Sequence, residues 1–66
     1  MRVGETALQM CIRHVAEQEA RIARQETLVE SLRASRSGLL NEALQLLAEM
    51  HDLLQTMRDH VTRLAP

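Results

Sequence analysis

Apolar residues recur at every seventh position in two separate stretches of the chain. In the first, Leu8, Val15, Ile22 and Val29 form one row, and Cys11, Gln18, Gln25 and Leu32 form a second row three residues further on. Placed at the a and d positions of a heptad, they predict a helix over about 5–35 whose seam is polar in its middle. In the second stretch Leu40, Leu47, Leu54 and Val61 take position a, and Ala43, Met50, Met57 and Leu64 take d. Both rows are apolar, and they predict a helix over about 38–65. Between the two lies Ser35-Arg36-Ser37-Gly38, the one small, polar cluster in the interior, which reads as a tight turn over about 35–38. Ser37 could cap the second helix, or Gly38 could take the left-handed position that ends the first. The fold class is therefore all-α, a two-helix antiparallel hairpin occupying residues 1–66 as one domain.

The second helix carries more leucine than one seam uses, with seven leucines among the sixteen residues LLNEALQLLAEMHDLL. Leu39, Leu46 and Leu53 repeat at the flanking g position, and Leu44 falls at e. At about 100° per residue these positions, with a and d, span an arc of roughly 160°, wider than a two-stranded contact needs. Folding the chain at residues 36 and 37 sets Val29 opposite Leu44, Ile22 opposite Met50 and His51, and Val15 opposite Met57 and Arg58. One side of the second helix is then left bare, and a contiguous apolar patch on a small protein marks an interface. A second copy packed about a two-fold axis completes a four-helix bundle, so a homodimer is expected. Its interface residues would be Leu39, Leu44, Leu46, Leu53, Met50 and Met57. A helix of another protein, seated in the same groove, is the other occupant the pattern allows. Gln18 and Gln25 are expected at the seam's edge, reaching water; placed inside instead, their amides would need partners.

Composition narrows the function classes. A chain of 66 residues buries a modest fraction of its surface and folds marginally without support. Disulfides do not provide that support, because Cys11 is the single cysteine. A lone cysteine suits a reducing compartment, and MRVGETALQMCIRHVAEQEA lacks the apolar core of a signal peptide, so a cytoplasmic location is expected. Eight arginines against nine acids leave a net charge of −1, and there is no Phe, Tyr or Trp to stack bases. Nucleic acid is not an expected partner. Nor is a membrane, since the polar side of the second helix sets Glu42, Glu49, Asp52 and Asp59 against Arg58 and Arg63, the wrong sign for anionic lipid.

The candidate chemistry is thin. Cys11 and His14 are three apart on one helix face, and the fold brings His60 to nearly the same level, so a thiolate and two imidazoles could converge on a soft or borderline metal. That makes a metal- or thiol-based sensor the alternative function. Against it, a cysteine at position d behaves as a small buried hydrophobe, and histidines at g are rim residues. The chain has no second cysteine and no C-x-x-C, so no metal and no cofactor are expected. No serine or threonine has a histidine and an acid at triad spacing, and the E-x-x-H pair of a di-iron bundle is absent, Glu49 standing only two residues before His51. The chain is therefore read as a scaffold, adaptor or small regulator, not as an enzyme, with no catalytic residues.

The stretch RHVAEQEARIARQETLVESL resembles short uncharacterised bacterial helical-hairpin proteins. The residues that carry the likeness are Arg13, His14, Val15, Arg21, Ile22, Arg24, Gln25, Leu28 and Val29, followed by His60, Arg63 and Leu64. The resemblance implies a small intracellular helical hairpin and supplies no activity. In architecture the chain also resembles the dimeric RNA-binding hairpins that regulate plasmid copy number, without their Lys-rich, Phe-bearing RNA face.

Overall fold

A computed structural model describes Gly4 and residues 6–65. It contains two helices, α1 (Ala7–Ala34) and α2 (Leu40–Leu64), packed against each other. The expected first residue of α1, Glu5, lies outside the described residues, while Thr6 is the N-cap. Thr6 Oγ1 accepts from the Gln9 backbone N–H at 3.0 Å, and Gln9 Oε1 accepts from the Thr6 N–H at 3.0 Å. This reciprocal box satisfies donors that the first turn of any helix leaves open.

The heptad rows become the seam. Every a and d residue of α1 is buried or half-buried, with Ile22 and Val29 deepest, and α2 adds Ala43 and Leu54. The a and d rows of α2 follow suit except for Leu64 at the open end, which is 38 % exposed.

Gln18 and Gln25 correct the sequence reading. Gln18 is 2 % exposed, and its Nε2 donates to the Met50 carbonyl across the seam at 3.1 Å. Gln25, half-buried, makes the same bond to the Ala43 carbonyl at 3.0 Å. The two bonds repeat with the heptad on both helices. A helical carbonyl already bonded along its own helix keeps a second lone pair, so a seam amide finds an acceptor without any polar side chain opposite it. The polar middle of α1 is thus a pair of interhelical clamps.

The turn also differs from expectation. Ser35 is the C-cap, and Arg36 takes the left-handed position, at φ 55°. The Ser37 N–H donates to the Leu32 carbonyl at 2.9 Å and the Arg36 N–H to the Arg33 carbonyl at 3.2 Å, the paired bonds of a Schellman ending. Gly38 lies two residues too late to serve there and has no positive φ. Ser37 does act on α2, its Oγ accepting from the Leu39 N–H at 3.1 Å. Leu39 remains in the turn, so α2 starts later than the pattern suggested.

An L side chain in the left-handed region costs about 1 kcal/mol or more, and nothing lies within 4 Å of a Cβ built on Gly38. The exchange Arg36→Gly with Gly38→Ala should stabilise the hairpin by about 1 kcal/mol, since it relieves the strain at residue 36 while the glycine gained and the glycine lost offset each other in the unfolded chain. Urea unfolding of the double variant checks it.

Candidate functional site

The hairpin is a single layer of helices, with Cα extents of 51 × 26 × 12 Å. A layer this thin has two broad faces, and the seam between the helices covers neither. One face carries the a and e residues. There the Arg58 guanidinium reaches the Glu19 carboxylate at 2.6 Å, and a shallow depression is lined by Ile12, Val15, Arg58, Val61 and Thr62. Both members of the ion pair are about half exposed, so water screens it and it adds little stability. Glu26, Arg33 and His51, also at e, are exposed on this side.

The opposite face carries the d and g residues. Leu39, Leu46 and Leu53 are 57, 48 and 51 % exposed, and Leu28 of α1 joins them at 47 %. Near the turn, Leu28, Leu32, Leu39 and Leu46 line one depression together with Gln25, Glu42 and Ala43. Toward the open end of the hairpin the same heptad positions line another depression of about 230 Å3, formed by Cys11, His14, Thr56, Met57 and His60. Met50 and Met57 are half-buried at d beside the leucine row.

This placement sorts the sequence candidates. Leu39, Leu46, Leu53, Met50 and Met57 share the d and g face, whereas Leu44, at e, is half-buried. Leu28 was missing from the expected interface. It sits at g of α1, the position that α2 fills with leucine, and comparing g positions on both helices would have revealed it. Cys11, His14 and His60 do line a common depression, yet among the described residues no three His, Cys, Asp or Glu side chains converge as a metal-binding set. Cys11 is half-buried, and both histidines are exposed at the rim.

Every buried side-chain nitrogen and oxygen among the described residues has a hydrogen-bond partner, so the seam holds no orphaned polar group aimed at a ligand. No helix among those residues is long and apolar enough to cross a membrane. The largest exposed apolar group among the described residues is the set Leu28, Leu39, Leu46 and Leu53 on the d and g face, with Ile12 exposed on the other. Compared with protein-family models, curated proteins and solved structures, the chain matches none at a significant level.

Proposed function

We propose that this protein is an interaction module that pairs with a second copy of itself through the d and g face, forming a four-helix bundle that serves as a scaffold, adaptor or small regulator. The carrying observation is the collection of Leu28, Leu39, Leu46 and Leu53 on one face, each about half exposed, while the opposite face mixes the exposed Ile12 with Glu19, Glu26, Arg33, His51 and Arg58.

Surface area supports the choice of occupant. The chain exposes 5127 Å2, whereas a compact monomer of 7.5 kDa is expected to expose about 4,200 Å2. A standard interface takes about 800 Å2 from each partner, and a layer with Cα extents of 51 × 26 Å has a broad face large enough to supply it. A second hairpin has the length and the apolar stripe to cover that area, and two copies bury both stripes in one core.

Thermal melting tests the reading, because an association that stabilises the folded state makes the melting temperature rise with protein concentration. A fall in the melting temperature across a hundredfold dilution is expected. A melting temperature independent of concentration would count against self-association, leaving a helix of another protein as the occupant of the groove.

A further inference from the structure

We infer that, in the dimer, the depressions lined by Cys11, His14 and His60 close on each other to form one shared thiolate–imidazole site for a soft or borderline divalent cation such as zinc. The inference rests on the self-association proposed above and adds the orientation of the two copies.

A two-fold axis relating two hairpins through the d and g face runs either across the helices or along them. Levels along the helices follow from the two depressions on this face. Leu28 shares one with Leu46, and His14 shares the other with Met57 and His60. Arg21 lies seven residues from Leu28 and from His14, at the level of Leu53. With the axis across the helices, α1 lies on α1 of the second copy, running in the opposite direction. Arg21 then faces Arg21 of the second copy, and His14 faces Leu28. Like charges meet and apolar groups face polar ones, both unfavourable at a desolvating surface.

With the axis along the helices, the turns lie at the same end and α1 lies on α2 of the second copy. Leu28 then covers Leu46, Arg21 lies beside Leu53 with its head free to reach water, and the two arginines sit on diagonally opposed helices. The leucine ends match, and the histidine ends meet as a consequence.

That meeting changes the donor count. One chain offers one thiol and, among the described residues, no converging set of three ligands. Two chains related by this axis offer two thiols and four imidazoles around it, and the symmetry takes the same donors from each copy. One cysteine and one histidine per chain make a Cys2His2 shell, the tetrahedral complement of a structural zinc site. The walls come from facing helices, as in other metal sites of helical bundles, with the half-buried Met57 lining the same depression.

The test is titration of the full-length chain with zinc chloride, followed by melting temperature, particle mass and bound-metal stoichiometry. One zinc per two chains and a melting temperature about 5–10 °C higher at a hundredfold excess over the dissociation constant are expected. Cobalt in place of zinc should show thiolate-to-metal charge transfer that Cys11→Ser removes. Cys11→Ser, and at least one of His14→Ala and His60→Ala, should abolish the zinc response while leaving the dimer mass unchanged. A dimer whose melting temperature does not move with zinc overturns the site and leaves the dimer standing. Binding of one zinc per chain, retained in the Leu46→Glu, Leu53→Glu variant as a monomer, overturns the sharing. A native chain that is monomeric overturns the assembly and the shared site with it.

Discussion

Replacing Leu46 and Leu53 together with glutamate is expected to halve the particle mass, from twice 7.5 kDa to 7.5 kDa, at concentrations where the native chain is paired. Both side chains are about half exposed in the single hairpin and lie outside its seam, so the change leaves the packing of α1 on α2 intact. In the bundle the same positions are central. Each carboxylate would have to be buried without a partner or break the contact, and burial of an unpaired charge costs far more than one small interface can offset. Affinity should fall by about a thousandfold or more, equivalent to roughly 4 kcal/mol. Ile12→Glu is the matched control, because Ile12 is 52 % exposed on the opposite face. Light scattering coupled to gel filtration reads both variants: the double change should give monomer, and Ile12→Glu should leave the mass unaltered. A double variant of undiminished mass would place the interface elsewhere.

The second large effect concerns the seam. Leu54→Ala should destabilise the hairpin by about 2–5 kcal/mol, the sum of lost transfer energy and the cavity left behind. Leu54 is 5 % exposed, and the buried apolar set it shares with Ile22, Val29 and Ala43 is small. No large side chain among the described residues is more than 98 % buried, so the core has little redundancy. A chain of this length has about 3–10 kcal/mol in total. The truncation should therefore remove a large share of the helical signal near physiological temperature, measured by circular dichroism. Leu53→Ala, one residue away but on the exposed row, should leave the helical content of the hairpin intact and weaken only the pairing. The contrast between neighbouring leucines separates the two roles that the periodicity assigns them.

Most of the architecture was legible because a seven-residue repeat survives the fold unchanged. The rows Leu8 to Val29 and Cys11 to Leu32 are the inward side of α1, and the exposed row Leu39, Leu46, Leu53 is the part of α2 that the hairpin cannot cover. What was not legible depended on groups without a sequence signature. Backbone carbonyls are the acceptors for Gln18 and Gln25, and they are the same at every residue, so nothing in the side-chain pattern revealed them. Arg36 occupies the left-handed position because the Schellman bonds fix the turn by residue count, two places before the glycine that composition would choose. Leu28 was hidden by attention to α2 alone, where the leucine surplus is concentrated. Near the open end, the pattern placed Cys11, His14 and His60 together, but it carried no information on how a second copy would be turned relative to the first.

In the proposed dimer the leucine face of one hairpin is covered by the same face of another. Sedimentation equilibrium of the native chain at micromolar concentration measures this most directly. The predicted result is a single species of twice 7.5 kDa that dissociates only on dilution. A folded, helical species of 7.5 kDa throughout the concentration range would contradict it.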